Sequence, residues 1–510
     1  MTKWLKTTAI GLVACFAAAE LQAQAGPGAP VNRAIQLPLS GQGGEPGAVA
    51  TVQNPLPGGA QSVNTLSSSV EVQGAYQGSV PMAQAPGASL QLSLAEALKK
   101  GLESNLGTVE YQNATRQARA QRRQAFSALL PDVSGYALLT DEDVNLASLG
   151  FTSIKFPAGI RLPSMVGPFH YYDARAQLTA NIVNLTALRN YRASDQLLKA
   201  TQFSARDARD LVVLAVTGSY LAVIAASSRI DSAKAQVAAA EALYKQAMDR
   251  HDAGLAARID VTRSEVELRT QQQRLISEQT DYAKQKIQLG RLIGLPPGQE
   301  FTLIDTLPYA PLTNLTLEQA LSRAYANRSD LKAAQAQVNA AELAKKAAVA
   351  ERYPSADVAA NYGAVGPSPS LGTFTVTGTL RFSIFDAGRI RGDIEEADAA
   401  FEQRHSEFED LRGQIDAEVR QAFLDLNAAA SQVSVAQSNR DLAQETLAQS
   451  RDRFAAGVAD TVEVVQAQEQ VAAAEQDYIT SLYAHNLAKA SVARAMGQAD
   501  QTIQQFLGKP

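Results

Sequence analysis

The chain has 510 residues, a formal charge of −5 and a pI near 5.6, with 19% charged residues and one cysteine. That balance lacks the cationic stripe that nucleic-acid binding requires. A single cysteine excludes any intrachain disulfide, and the four histidines (His170, His251, His405, His485) have no ligand-like spacing, so neither a metal nor another cofactor is expected. The length is better explained by an internal duplication than by unrelated domains.

Residues 1–25 read as an export signal. Lys3 and Lys6 precede an apolar run from Thr8 to Ala19, and Leu21-Gln22-Ala23 and Ala23-Gln24-Ala25 offer cleavage sites. Leu12-Val13-Ala14-Cys15 also resembles a lipobox, which would make Cys15 a lipidated mature N-terminus; both readings stand. Residues 26–88 are rich in Gly, Pro, Ser, Gln and Ala, with Arg33, Glu45 and Glu71 as their only charges. Such a segment buries too little to offset its ordering entropy, so a mostly disordered leader is expected.

Two repeats follow, at 89–310 and 311–497, with a tail at 498–510. Each opens on a capping box, first at Ser93 and Glu96 in LSLAEAL and then at Thr316 and Gln319 in LTLEQAL. The helix each box starts is expected to run to a proline, Pro131 or Pro354, and boxes and prolines alike are 223 positions apart.

After each proline the period changes to two. From Thr373 to Ile384, the residues Phe374, Val376, Leu380, Phe382 and Ile384 share one face, with threonines on the other. Tyr172 to Ile182 alternates in the same way. Each run has about the 9–11 residues that a tilted strand needs to cross a bilayer. Weaker strands are expected at Asp132–Leu138 and Ser355–Tyr362, joined to the first pair by loops near Thr140–Phe169 and Gly363–Gly372. Four strands cannot close a barrel, and lipid does not tolerate an open edge, so a membrane reading demands oligomerisation.

No proline then occurs until Pro296 in the first repeat, or until Pro510 in the second. Ala187–Arg250 and Gly388–Arg453 are expected to form helices about 100 Å long. Ile415, Val419, Ala422, Leu426, Ala429, Val433 and Ala436 trace an alanine-rich seam at steps of four and three. Leu211–Ser228 carries no charge, but its copy at Gln414–Ser431 carries four. It is therefore read as a bundle seam, not a membrane span. Both long helices end in a glycine turn. Arg250 and Arg453, Gly254 and Gly457, and Asp260 and Glu463 are each 203 positions apart.

From Leu90 to Gly497 the chain resembles the TolC-like outer-membrane efflux proteins. The resemblance is carried by LSLAEAL and LTLEQAL, the prolines before each hairpin, FDAGRIR at Phe385–Arg391, and the paired turns HDAGLAARIDV and FAAGVADTVEV. It implies a mainly α fold with a membrane β-barrel. Three protomers would close 12 strands, continued by a periplasmic α-barrel. It implies a passive outer-membrane exit duct with a large periplasmic part, serving drug efflux or type I secretion. The partners implied are two further copies of the chain, a periplasmic adaptor, an inner-membrane transporter and outer-membrane lipid. By position, Asp260, Glu463 and Gln466 fall where the family narrows its channel, and Arg250, Gly254, Arg453 and Gly457 fall at the tips that dock the adaptor. Gln466 is neutral where the family can be acidic. Ala459 and Phe454 replace an arginine and a tyrosine of the family's closing network. The competing expectation is a coiled-coil scaffold without a pore. No nucleophile elbow, phosphate loop or histidine–acid pair suggests an enzyme.

Overall fold

The computed structural model describes residues 49–53, 68–72, 74–81, 88–148, 163–306, 309–312, 315–367 and 371–507. The signal segment and Cys15 lie outside them. Two compact units emerge. Among the described residues, one comprises Gln121–Asp195 and Asn339–Glu402; the other comprises the described parts of 49–120, 196–338 and 403–507.

The first unit is built on one antiparallel sheet, in the order β4 (Asp132–Asn145), β5 (Met165–Val183), β7 (Ser355–Gly366), β8 (Leu371–Arg381). Residues directly opposite in an antiparallel ladder share a face, so the register defines two surfaces. Phe374 lies opposite Tyr362, Tyr362 opposite Ala176, and Ala176 opposite Gly135. Val376, Ala360, Leu178 and Val133 form a second such row. The face they share is apolar across all four strands and uncovered: Phe374 is 77% exposed, Tyr362 71% and Val133 70%. The opposite face carries Thr375, Thr377, Asn361, Gln177 and Ser134, and an Arg175–Asp173 ion pair at 2.6 Å. Gly363 lets the two backbones approach, because a Cβ there would collide with the Ala174 carbonyl and stand 2.6 Å from Arg175 Cα. Strands β4 and β8 are both edges.

Several boundaries differ from expectation, the loop near Gly363–Gly372 among them, since β7 and β8 stay paired as far as Val365 opposite Leu371. The first loop is shorter than Thr140–Phe169, because the β4–β5 ladder continues to Asn145 opposite Met165. The misleading signals were the charges of Asp141–Asp143 and the proline at Pro168. A ladder needs no apolar alternation, and Pro168 sits where the register skips between Glu142 and Val144. Strand β8 ends at Arg381, so Phe382 and Ile384 lie beyond it, although both are exposed. Each capped helix is in fact two: α1 (Leu94–Ser104) and α2 (Leu106–Ser127), then α5 (Leu317–Asn327) and α6 (Ser329–Ala350). The breaks fall at Asn105 and Arg328, which are 223 positions apart, and tertiary bonds hold both. Asn105 Nδ2 donates to the Tyr76 carbonyl at 2.8 Å. Arg328, 2% exposed, binds Asp330 and Glu418.

The second unit holds the helical hairpins: α3 (Leu185–Asp252) with α4 (Arg258–Leu292), and α7 (Arg389–Ala455) with α8 (Thr461–Ala495). Helices α3 and α7 also contribute residues to the first unit. The seven seam residues from Ile415 to Ala436 are all buried. The first five, Ile415 to Ala429, pack against Ala488, Val492 and Met496 of the second hairpin and Ala320 and Ala324 of α5. The uncharged run that begins at Leu211 is core as well. Leu211, Val212, Leu214, Val216 and Tyr220 pack against Leu94 and Leu98 of α1 and Leu289 of α4.

The expected disordered leader is corrected at its C-terminal part. Strand β1 (Val49–Gln53) pairs with β2 (Ser68–Val72), and Tyr76 is 3% exposed over Gly107. Val72 and the Tyr76 ring supply burial that composition alone concealed. Strand β3 (Leu90–Leu92) runs parallel to β6 (Phe301–Leu303), tying the start of the first repeat to its end. The tail folds too: Ile503 and Leu507, from helix α9 (Ala499–Phe506) and just beyond it, enter the Leu211 core.

Candidate functional site

The residues singled out at the hairpin ends come together in the second unit. Helix α3 stops at Asp252, and Gly254 follows at φ +75; α7 stops at Ala455, and Gly457 follows at φ +78. Both turns close alike. The Leu255 N–H donates to the Arg250 carbonyl at 2.8 Å, and the Val458 N–H donates to the Arg453 carbonyl at 3.0 Å. Glycine is required at these positions by a backbone that L-side chains rarely adopt, not by crowding, since a Cβ would meet nothing within 4 Å.

The copies diverge in their side chains. In the second, Asp460 caps α8 by accepting from the Glu463 N–H at 3.1 Å, and Glu463 Oε1 pairs with Arg453 Nε at 3.1 Å. In the first, the cap position is Ala257, which has no side-chain acceptor. Arg250 instead crosses to the other hairpin. Its Nη2 donates to the Ala455 carbonyl at 3.2 Å, and its guanidinium lies 4.5 Å from the centre of the Phe454 ring. Phe454 is 6% exposed and packs with Leu243 of the first hairpin and Val464 of the second. A phenylalanine in this position keeps the aromatic face while giving up a hydroxyl.

Asp260 lies in the first turn of α4, 4.0 Å from Arg263. Arg263 is the first-repeat equivalent of Gln466, which is exposed on α8. Sequence reasoning missed Arg263; its signal was a basic residue at the 203-residue offset from Gln466. Each tip acid therefore has a cation beside it, so the negative potential of either position is partly neutralised. Two further residues were missed. Leu255 and Val458, each directly after its turn glycine, are 79% and 69% exposed. Among the described residues, no group of three His, Cys, Asp or Glu could hold a metal ion.

An amphipathic sheet with an uncovered apolar face, together with two duplicated long helical hairpins, is the build of an outer-membrane channel protein. The chain belongs to the outer membrane efflux protein family, whose model matches residues 99–295 and 320–498. It is similar to the toluene efflux pump outer membrane protein TtgF of Pseudomonas putida, at 25% identity over 377 residues, covering 71% of this chain and 74% of the relative. It is also similar to the pyoverdine export outer membrane protein OpmQ of Pseudomonas aeruginosa, at 24% identity over 329 residues, covering 62% and 68%. The same fold occurs in the Campylobacter jejuni CmeC outer membrane channel, with a TM-score of 0.70 at 15% identity over 88% of this chain and 98% of that one. It occurs again in the outer membrane protein VceC from Vibrio cholerae, with a TM-score of 0.67 at 17% identity over 79% and 96%.

Proposed function

We propose that this outer-membrane protein is the exit duct of a tripartite efflux pump or a type I secretion system. It is a passive channel, with energy and cargo choice supplied by an inner-membrane transporter through a periplasmic adaptor. The observation that carries the reading is the four-stranded sheet. It has one continuous apolar face, which is not stable in water, and two open edges, which are not stable in lipid unless copies of the chain pair edge to edge. Three copies give 12 strands, with Phe374, Val376 and Leu380 toward lipid, Phe382 and Ile384 at the rim, and the threonine face toward a wet lumen. A coiled-coil scaffold has no use for such a sheet.

In the second unit, Glu463 and Asp260 repeat around the symmetry axis as rings of carboxylates that favour cations, tempered by Arg453 and Arg263; Gln466 adds a neutral polar ring. Arg250, Gly254, Arg453 and Gly457 shape the tips that meet the adaptor, and Leu255 and Val458 give those tips their apolar contact. Cys15 is either a lipid attachment point or part of the removed signal.

The test is the purified protein in planar bilayers, with crosslinking in detergent. Trimer bands and discrete cation-preferring conductance are expected. A soluble monomer without conductance overturns the proposal.

A further inference from the structure

Within the second unit, helices α4 and α7 each carry a row of side chains that the rest of the chain leaves uncovered. On α7 the row is Leu424, Ala428, Ser431, Val435, Ser438 and Leu442, at steps of four and three. A helix turns about 100° per residue, so two positions past a buried seam is its opposite side. This row sits there, two positions on from Ala422, Leu426, Ala429, Val433 and Ala436. On α4 the row is Arg269, Gln273, Ile276, Thr280, Ala283 and Ile287, with the same steps. Ala428 is half-buried and the others are exposed.

A solvated helix face has a different composition. On α3, between Asp231 and Asp249, the exposed set includes Asp231, Lys234, Glu241, Lys245 and Asp249. The α7 row holds no charge and the α4 row holds one, while Ile276, Ile287, Leu424, Val435 and Leu442 are each more than half exposed. Small and branched apolar residues at a period of 3.5 make a helix–helix seam, and a contiguous exposed strip of them marks a contact surface.

The two rows match level by level. Ile287 is 33 positions from Gly254, and Leu424 is 33 from Gly457; Ile276 and Val435 are each 22 from the same glycines. The two turns close by the same backbone bond, so equal counts mean equal heights at about 1.5 Å per residue. Helix α4 leads away from its turn and α7 leads into its own. Two copies side by side with their turns level would therefore set α4 of one antiparallel to α7 of the other. Ile287 then meets Leu424, Ala283 meets Ala428, Thr280 meets Ser431, and Ile276 meets Val435, large against large and small against small. The charges agree as well. Arg269 falls level with Leu442, one turn from Glu445 on the same side of α7. Arg269 now reaches Glu265 of its own helix at 3.5 Å with both side chains exposed, and Glu445 accepts from Gln449 at 3.2 Å. Such exposed local contacts are weak enough to exchange.

Within one chain the rows do not meet, because both are exposed. We propose that the α4 row of one copy docks along the α7 row of the next copy in this register, over a length of about 27 Å. The contact is head-to-tail, so each copy offers one row to each neighbour and a ring can close. The inference rests on the oligomeric reading above and adds to it a specific surface in the helical unit.

The experiment is disulfide trapping of the full-length protein, purified in detergent without any other protein. Chains carrying both Ile276→Cys and Val435→Cys are oxidised and run under denaturing, non-reducing conditions; side chains at one level of a seam are within disulfide reach. Most chains are expected in covalent oligomers that reduction dissolves. Either cysteine alone should give at least tenfold less, which also controls for Cys15. Ile276→Cys with Leu424→Cys, misaligned by about 16 Å, should give none. The mass of the same samples under native conditions separates the outcomes. A trimer without the 276–435 bond overturns this docking alone, and a monomer removes the oligomeric reading with it. A second measurement needs no cysteine: Val435→Glu should lower the dissociation midpoint of the trimer by several degrees, and adding Ile276→Lys should recover at least half of that shift. An unshifted midpoint, no recovery, or equal trapping by the misaligned pair overturns the proposal.

Discussion

If the tips govern passage, Arg250 is the side chain to remove. It is the tip contact in which one hairpin's side chain reaches the other's backbone, through a hydrogen bond to the Ala455 carbonyl and a cation–π contact with Phe454. Arg250 is half-buried, so the hydrogen bond contributes about 1 kcal/mol, below the range for buried charged donors. The ring contact adds about 1 kcal/mol. Losing both at about 2 kcal/mol per protomer shifts a two-state tip roughly 30-fold toward the separated arrangement. In the proposed trimer, three copies moving together would triple the free energy. Arg250→Ala should therefore raise single-channel open probability in planar bilayers by more than tenfold, with the thermal midpoint of the trimer barely changed. Arg250→Lys, which keeps charge but loses the planar fork, should fall between. If Arg250→Ala trimers conduct like the parent, this contact does not hold the tip, and the reasoning from geometry to gating fails.

Other outcomes follow from the same coordinates. Phe374→Arg should cost about 2–4 kcal/mol and block membrane assembly, whereas Thr375→Arg, one residue along on the opposite face, should be tolerated; fractionation that finds the two alike refutes the face assignment. Glu463→Ala should lower cation preference in reversal-potential measurements and Arg263→Ala should raise it; shifts of the same sign would remove Asp260 from the pore. Gly497 has φ +68, and a Cβ there would stand 2.7 Å from Arg328 Cα. Gly497→Ala should lower the thermal midpoint several times more than Gly457→Ala, which meets open space and costs only about 1 kcal/mol of backbone strain.

A pH dependence follows from His485, which is 1% exposed. Burial, aided by the Lys489 charge, pushes its pKa down to about 4. The unfolded chain protonates its histidine below about pH 6.5 and the folded chain does not, so stability falls as pH drops from 6.5 to 4 and levels off below. The loss approaches about 3 kcal/mol per protomer. His485→Phe should flatten denaturation midpoints across that window, and an unchanged slope would place the titrating group elsewhere.

The parts of the fold legible in the sequence were those set by periodicity. The seam from Ile415 to Ala436 is buried at every position named, because a long helix with no proline has one way to hide such a stripe. Duplication strengthened weak evidence. Leu211–Ser228 alone satisfies a membrane-span criterion, yet its charged copy pointed to a packed seam, and Val212 and Val216 are fully buried. What escaped was whatever depends on partners distant in sequence. The breaks at Asn105 and Arg328 carry no proline or glycine. Asn105 is held by the Tyr76 carbonyl and Arg328 by Glu418, both distant in sequence, with Asp330 adding a local bond. The burial of Tyr76 was invisible in a composition that reads as leader.

The tip shows the same division more sharply. The glycines could be found from sequence because a left-handed turn restricts residue type wherever it occurs. The pairing of each acid could not, because it depends on which way an arginine swings. Arg250 and Arg453 occupy equivalent positions, yet Arg453 folds back onto Glu463 of its own hairpin and Arg250 reaches across to Ala455. The difference traces to Asp460 against Ala257. With Asp460 capping α8, Glu463 is anchored through its own N–H and presents its carboxylate to Arg453. Without a cap, Asp260 leans toward Arg263 and leaves Arg250 available for the other hairpin. A duplicated turn has thus become two devices: one hairpin is self-clasped, and the other supplies the bond between them. Both turns are closed by the same backbone bond, so it is the Arg250 contact, and not either turn, that joins the two hairpins here.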